Sequence, residues 1–285
     1  MKLEILKPIF FILFLLSACC FSAKGQDATA YKYALRNQST SFGLSVEALS
    51  DHYLSPMPYS GIGLNTRTEI RQLFSPENIN LSNINRTGLS VGMTVNPAVT
   101  ASVMFIGLNY GWGMHYHFRP VENLQILAGG LADVNFKGKL NNRNVNNPAN
   151  IDLSVGLNLS AVAIYDIPTN WRTVRLQAEI EVPFIGAMFV PEYGSSYYEA
   201  FMMKSKGKYV HFSSFHNKQG FDMRYFAEIA FRSSTWRLGI CSRQLIYAAN
   251  QLYFKNAASE LFIGYSKTLF RFSEKHPAPH NFINY

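Results

Sequence analysis

Apolar and polar residues alternate along much of the chain, and the stretch VRLQAEIEVP at positions 174–183 shows the pattern clearly. Every second residue from Val174 to Val182 is apolar, and the residues between them are polar. A period of two is typical of a β-strand with one apolar and one polar face. The same alternation occurs, with Val162 and Ile164 as exceptions, in the segments 103–118, 124–136, 151–167 and 221–232.

The length of these segments distinguishes two all-β architectures. Strands of soluble β-sandwiches usually have five or six residues, whereas a strand that crosses a bilayer at a tilt needs roughly 9–11. Most segments here reach ten residues or more. We therefore predict a transmembrane antiparallel up-and-down β-barrel whose apolar face contacts lipid and whose polar face lines the interior.

Ten strands account for most of the chain, and one segment leaves the number open. The region 185–219 can hold one more hairpin, SSYYEAFMM with KYVHFSSFH, which would give twelve strands. The ten predicted strands are 41–50, 60–74, 86–96, 102–118, 122–137, 151–167, 172–184, 220–232, 235–247 and 258–272.

The connections between the predicted strands indicate how the barrel is oriented. Those after strands four, six and eight are short, and those after strands five, seven and nine are longer. Outer-membrane barrels have short periplasmic turns and longer external loops. Both termini are therefore expected in the periplasm, with a barrel at 26–272 and a polar tail at 273–285.

The amino terminus predicts export. Lys2 and Lys7 precede the apolar stretch PIFFILFLLSACCFSA, which is the layout of a secretory signal peptide over residues 1–25. Ordinary cleavage near Gly25 and lipidation of Cys19 within LSAC are two alternative processing routes. Ordinary cleavage would leave Cys241 as the only cysteine, so no intramolecular disulfide or zinc cluster could form.

Composition adds two constraints. Aromatic residues make up 14% of the chain and charged residues only 15%, which suits a membrane barrel. The net charge of +8 is spread along the sequence and does not form a basic stripe. We therefore predict no nucleic-acid partner. The expected partners are outer-membrane lipids, the barrel assembly machinery during insertion, and an external ligand or protein that the sequence does not identify.

One stretch suggests nucleophilic catalysis. In YVHFSSFHN, His211 and Ser213 share a strand face, and Asn217 could orient the imidazole. This H-x-S pair resembles outer-membrane phospholipase A and the lipid A deacylases, in which a histidine activates a serine. Those enzymes carry Asn directly after the serine, where this chain has Ser214. The alternative is that these polar residues only end a strand.

A second stretch suggests a metal. His115 and His117 in GMHYHFRP share a face, and two histidines at this spacing can ligate a metal ion. Since the sequence identifies no third ligand, a hydrogen-bonded pair in the barrel interior is the alternative. No cofactor is predicted.

Charged residues of both signs fall on the predicted inner face. A ten-stranded barrel is narrow enough for side chains to fill, so these charges are expected to pair across the interior and block a wide pore. A narrow channel or a small ligand site is the alternative. The predicted inward charges are Glu47, Arg67, Glu69, Arg71, Asp133, Asp152, Arg175, Glu179, Glu181, Asp222, Arg224, Glu228, Arg237 and Arg243.

Two loop motifs do not follow from the alternation. They are HYLSPMPYSG at 52–61 and VPEYGSSYYEAF at 190–201, with FSSFHN following at 212–217. Together they resemble a Bacteroidetes family of outer-membrane β-barrel proteins without an assigned activity. The resemblance implies the fold and the location but no chemistry.

The same motifs supply candidate binding residues. Their prolines and Gly194 favour turns, and their tyrosines are expected either to form an aromatic cap over the barrel mouth or to bind a glycan, a lipid headgroup or a protein. The candidates are Tyr53, Tyr59, Glu192, Tyr193, Tyr197, Tyr198 and Glu199. The leading hypothesis is a structural or binding barrel, and a lipid-hydrolysing enzyme and a narrow channel are the alternatives.

Overall fold

The computed structural model describes residues 34–74, 78–144, 147–169, 173–194, 196–197, 208–231 and 234–271. The predicted signal peptide with Cys19 and the predicted polar tail lie outside these residues. No helix in the described ranges is long and apolar enough to cross a membrane.

The described residues form eleven β-strands, most of them long. Each strand pairs antiparallel with its neighbours, and the β1–β11 and β6–β7 pairings close the sheet into a barrel. The strands are β1 (Ala34–Asp51), β2 (Tyr59–Leu73), β3 (Leu81–Val95), β4 (Ser102–Val121), β5 (Leu124–Asn141), β6 (Ala149–Pro168), β7 (Thr173–Phe189), β8 (Val210–Ser214), β9 (Lys218–Ala230), β10 (Thr235–Ala249) and β11 (Leu252–Arg271).

Strand β8 does not add a position to the barrel wall. It pairs only with the last part of β7, from Ile185 to Phe189, whereas β9 pairs with β7 between Val174 and Glu181. Strands β8 and β9 therefore share one position beside β7, and the closed barrel has ten strands. This confirms the prediction of ten. The first half of the alternative hairpin lies mostly outside the described residues.

The two ends of the barrel are distinguished by the chain termini and by the connection after β1. Ala34 pairs with Arg271, so both termini of the barrel lie at one end, which we call the terminal end. The connection at 52–58 lies at the opposite end, which we call the loop end. Between the two ends, apolar side chains face outward and polar side chains face inward, as predicted. On β1, for example, Leu44 is 64% exposed on the outside, whereas Glu47 is 2% exposed on the inside.

Near the loop end the polarity of the two faces is reversed, with apolar residues on the inner face and polar residues on the outer face. This reversal explains why the last strand begins before its predicted start at 258. Leu252 and Phe254 are buried in the interior, and Lys255 is exposed outside. Strands β10 and β11 are consequently joined by a two-residue turn. Its residues, Asn250 and Gln251, have φ values of 50° and 63°, as a type I′ hairpin turn requires. The expectation of a longer loop at this point was wrong.

The interior also contains apolar residues at the terminal end. Val162 and Ile164, the two exceptions to the alternation in 151–167, pack inside against Leu127. They occupy inward positions of β6, whereas the inward position at Ser160 on the same strand is polar. The loop end of the interior is therefore largely apolar, whereas the terminal end combines this apolar patch with buried polar groups such as His117 and the Arg237–Glu228 ion pair.

Candidate functional site

An apolar cluster closes the interior at the loop end, and we call it the cap. The connection after β1 folds into the barrel mouth, so that Tyr53 and Leu54 are buried. The rings of Tyr247 and Phe254 stack with their centroids 4.6 Å apart. The buried residues of the cap are Leu49, Tyr53, Leu54, Tyr59, Ala101, Val103, Met188, Val190, Tyr247, Leu252 and Phe254.

Tyr197 joins the cap from the long connection after β7. Its ring meets that of Tyr53 edge-on at 5.7 Å between centroids. Its hydroxyl donates to Oδ1 of Asn150 at 2.6 Å and accepts from the backbone N–H of Ile151 at 2.8 Å. Burial raises the pKa of this hydroxyl above its ordinary value. The neutral hydroxyl therefore ties the connection to the start of β6.

A buried lysine lies directly beneath the cap. The ammonium group of Lys139 pairs with Asp51 and Asp152 and lies 4.3 Å from the centre of the Phe254 ring. Asn150 donates to Asp51 at 2.8 Å, and the hydroxyl of Tyr247 donates to Asp152 at 2.8 Å. The polar groups of this cluster thus satisfy one another beside the aromatic rings of the cap.

A network of opposite charges crosses the barrel interior closer to the terminal end. Arg86 on β3 pairs with Glu69 on β2 at 2.8 Å and with Glu179 and Glu181 on β7. Arg224 on β9 pairs with Glu179 at 3.0 Å and with Glu181 at 2.5 Å. We call these residues, with Arg71, the ion network. Since β2 and β3 lie across the barrel from β7 and β9, their paired side chains fill the interior at this level.

Between the cap and the ion network lies a cavity of about 250 Å³. Arg86 and Glu181 of the network line one side, and Met188, Tyr247 and Phe254 of the cap line the other. The wall between them is polar, with five asparagines and charged groups of both signs. These wall residues include Asn65, Arg67, Ser90, Asn109, Asp133, Asn135, Lys137, Ser154, Asn158, Lys218, Asp222, Arg243 and Asn256.

The predicted metal residues form two separate hydrogen-bonded pairs. Nε2 of His115 lies 2.9 Å from the Ser160 hydroxyl, and Nε2 of His117 lies 2.7 Å from the Ser82 hydroxyl. Both histidines are buried near the terminal end. Within the described ranges, no group of three or more His, Cys, Asp or Glu side chains is arranged to hold a metal ion.

The predicted catalytic residues lie on and just after β8. Ser213 is 3% exposed, and Nε2 of His211 contacts the backbone carbonyl of Lys208 at 2.9 Å. Asn217 donates to the Phe212 carbonyl and accepts from the Ser214 backbone N–H, so it closes the turn after β8. A different pair is formed here, because the Ser214 hydroxyl lies 2.6 Å from Nδ1 of His216. The structure does not bring His211 and Ser213 into a hydrogen bond.

The predicted binding residues fall into two groups. Tyr53, Tyr59 and Tyr197 come together in the cap. Tyr193 is 70% exposed beside Gly194, and Glu192 accepts a hydrogen bond from the backbone N–H of Lys208. The other two candidates, Tyr198 and Glu199, lie outside the described residues.

Several interior groups were not predicted from the sequence. Arg86, Lys139 and Lys218 face the barrel interior. Each lies at the end of a predicted strand or just outside it. The two-residue period of a strand could have identified them, because each lies an even number of residues from another inward-facing residue on the same strand.

Comparison with solved structures finds similar proteins at low sequence identity. The outer membrane protease OmpT from Escherichia coli is 7% identical, with 87% of this chain and 100% of that chain covered at a TM-score of 0.47. The transport unit of the autotransporter AIDA-I from Escherichia coli is 8% identical, with coverage of 90% and 97% and a TM-score of 0.41. The beta domain of the Bordetella autotransporter BrkA is 10% identical, with coverage of 84% and 100% and a TM-score of 0.42.

The family comparison identifies the chain more directly. The family described as protein of unknown function (DUF3316) matches residues 8–276, and the chain belongs to it. The comparison with curated proteins gives no match.

Proposed function

We propose that this member of the DUF3316 family spans the outer membrane as a non-conducting barrel that binds a molecule at its loop end. The ion network carries this proposal. Arg86 and Arg224 connect carboxylates from opposite sides of the barrel, and a general porin needs about sixteen strands for an open channel. The paired charges leave no wide path for ions.

The outward face supports a membrane location. Exposed apolar side chains follow each other along the outside of β4, including Ile106, Leu108 and Trp112. A belt of this kind is suited to contact with outer-membrane lipids. In this proposal a signal peptide exports the chain, the barrel assembly machinery inserts it, and the terminal end faces the periplasm. The resemblance to a Bacteroidetes family, with its loop motifs, belongs to the same proposal.

The loop end supports binding. The buried Tyr53 and the partly buried Tyr197 hold two connections against the barrel mouth, and Tyr193 is exposed on the second of them. Binding residues are often found on loops that a rigid scaffold positions. In this proposal, the cap is a support for a binding surface as well as a barrier.

Planar bilayer recordings test the non-conducting state. The mature protein is refolded in detergent, and an unboiled sample that migrates faster than a boiled one verifies the closed barrel. The same preparation is expected to show no stable conductance steps after insertion, because the ion network fills the interior. Regular conductance steps from wild-type protein would contradict the proposal. A folded protein that remains soluble without detergent would contradict the membrane location.

A further inference from the structure

We propose that the barrel wall has a lateral opening between residues 182–184 of β7 and residues 215–221 beside them, through which the cavity takes up the head group of a zwitterionic membrane lipid. This inference rests on the proposed function in one respect, namely that the outer face of the barrel contacts lipid. Its structural basis is a break in the strand pairing, the residues on both sides of that break, and the balanced charges of the cavity behind it.

The hydrogen-bonded wall is interrupted on one side of β7. Strand β7 pairs with β9 as far as Glu181 and with β8 from Ile185 onward. Between these pairings, residues 182–184 face residues 215–221, and the structure describes both stretches without any strand pairing between them. The wall therefore lacks its ladder of backbone hydrogen bonds at this point.

The local sequence accounts for the interruption. Pro183 has no backbone N–H to donate, and proline within sheets occurs at edges and bulges. The register between β6 and β7 is irregular at the same place. On the other side of the break, Asn217 hydrogen bonds to backbone groups of its own turn, and Gln219 donates to the Phe215 carbonyl at 2.8 Å. This segment therefore satisfies part of its backbone without β7.

A narrow pocket lies at the break, and both faces of the wall contribute to its lining. Ser213 and Lys218 are buried on the inner side, whereas Phe184 is exposed on the outer side. Asn158, Pro183 and Lys218 line this pocket and also the cavity between the cap and the ion network. The pocket therefore leads from the outer face of the barrel toward that cavity.

Two phenylalanines cover the pocket from the outside. The rings of Phe184 and Phe215 come from opposite sides of the break and meet edge-on, with 5.8 Å between their centroids. The pocket measures about 10 Å³, which is roughly the space of one water molecule. A lipid head group would pass only when the two side chains rotate apart. Because both rings are exposed on the outer face, this rotation breaks no strand pairing.

The surroundings of the opening suit an alkyl chain. Leu157 and Ile185 are exposed on one flank, and Val210 and Phe212 are exposed on the other. These apolar side chains continue the outer face that the proposed function places in lipid. The cavity of about 250 Å³ is smaller than the roughly 300–1,000 Å³ of sites for drug-sized ligands. It therefore suits a head group, while the alkyl chain stays outside.

The charges behind the opening are balanced. Glu47 faces Lys137 through the amide of Asn256, and the carboxylate of Asp133 attracts the Lys218 ammonium on the cavity wall. A head group with a net charge would leave one charge without a partner in this covered space, which is costly. A zwitterionic head group preserves the balance, with its anionic group toward Lys218 and its ammonium toward Asp133.

Cysteine labelling in lipid vesicles tests the opening. The mature protein carries Cys241→Ser and one new cysteine, either Ser213→Cys at the opening or Ser39→Cys on the inner face of β1, where both serines are 3% exposed. N-dodecylmaleimide, which dissolves in the bilayer, should label position 213 about tenfold faster than position 39, because labelling depends on access to the thiol. A sulfonated maleimide, which stays in water, should label both positions slowly.

A matched pair of variants on β7 tests the aromatic cover. Phe184→Ala removes half of the cover and should speed the labelling of position 213 by about threefold or more. Leu176→Ala changes an outward residue of nearly equal exposure, 43% against 44%, where β7 is paired with β9, and should leave the rate unchanged. The heat-dependent gel shift verifies that each variant is folded. An unchanged rate after Phe184→Ala would contradict the role of this ring.

Protection from labelling tests the ligand class. Lauroyl lysophosphatidylethanolamine in the vesicles should slow the labelling of position 213, because its head group fills the space behind the opening. Lauroyl lysophosphatidylglycerol has the same chain and a net negative head group, so about tenfold more of it should be needed for equal protection. Lys218→Gln should weaken protection by the zwitterionic lipid, whereas Lys255→Gln, at an exposed position on the outside of β11, should not.

Three results would overturn the inference. Equal labelling of positions 213 and 39 by dodecylmaleimide would show that the wall is closed to lipid. Equally fast labelling of position 213 by the sulfonated reagent would show that access is from water. Equal protection by the two lysolipids, or none by either, would show that the cavity does not select a zwitterionic head group. In each case a folded barrel that is silent in bilayer recordings leaves the proposed function standing, whereas a barrel that fails to insert into vesicles would contradict that function itself.

Discussion

The ammonium group of Lys139 lies 2.7 Å from Oδ2 of Asp152, in a position where the lysine side chain is completely buried. Asp51, from the other side of the barrel mouth, is the second partner of this lysine. One cation thus holds β1, β5 and β6 together beneath the cap. The arrangement makes the stability of the loop end depend on a single charged side chain.

Replacing Lys139 by methionine is expected to destabilise the barrel by about 3–5 kcal/mol, because two buried carboxylates lose their partner. The temperature at which the unboiled band disappears on a gel measures this loss. Lys255→Met, at an exposed position on the neighbouring β11, is the control and should leave that temperature unchanged. The combined change Lys139→Met and Asp152→Asn should recover part of the stability, and no recovery would show that charge pairing is not the cause.

Glu179 is the central carboxylate of the ion network, with Arg71, Arg86 and Arg224 as partners. Glu179→Gln is expected to cost about 3–5 kcal/mol, because three guanidinium groups would share fewer negative charges in the interior. Urea unfolding from lipid vesicles provides the measurement. Glu122→Gln, in the exposed turn between β4 and β5, should have no measurable effect. An equally small effect at Glu179 would contradict the proposed role of the network.

Tyr197 and Tyr193 offer a matched pair in one loop. Tyr197→Phe removes hydrogen bonds to Asn150 and Ile151 and should cost about 1 kcal/mol. Limited proteolysis of the folded barrel should then cleave the connection after β7 faster than in the wild type. Tyr193→Phe, at a side chain 70% exposed, should leave the cleavage rate unchanged. Identical rates for both variants would show that the cap does not hold this loop.

Cys241 is 2% exposed and packs with Phe226 and Phe262 inside the barrel. In mature protein without the predicted signal peptide, a maleimide reagent should therefore leave this thiol unmodified until the barrel is unfolded. Mass spectrometry before and after boiling in detergent measures the modification. Tyr193→Cys in a Cys241→Ser background should react at once in the folded state. Fast labelling of native Cys241 would contradict the packed interior.

The proposed contact with lipid makes the outward face sensitive to charge. Leu44 is 64% exposed in the middle of the outer face of β1, and Leu44→Arg should destabilise the inserted barrel by about 2–4 kcal/mol. Ser60→Arg, on the outside of β2 at the loop end, should have a much smaller effect. Folding efficiency in lipid vesicles checks this difference. Equal tolerance of both substitutions would contradict a membrane-spanning belt.

The sequence by itself determined the architecture, because alternation and strand length are local properties. The period of two in 174–183 and 151–167 predicted strands that the structure contains, and the number of such segments predicted the closed barrel of ten. Inward charges such as Glu69 and Arg224 were also predicted, because parity along a strand determines which face a side chain occupies.

The tertiary structure alone decided which of these groups meet. Arg86 and Glu181 are 95 positions apart in sequence, and their pairing depends on the register between strands and on barrel closure, which alternation does not encode. The same holds for Tyr53, Tyr59 and Tyr197 in the cap. Alternation failed where the interior is apolar, as at Phe254 and Val162. The sequence of a strand distinguishes its two faces, but only closure of the barrel determines which groups each face contacts.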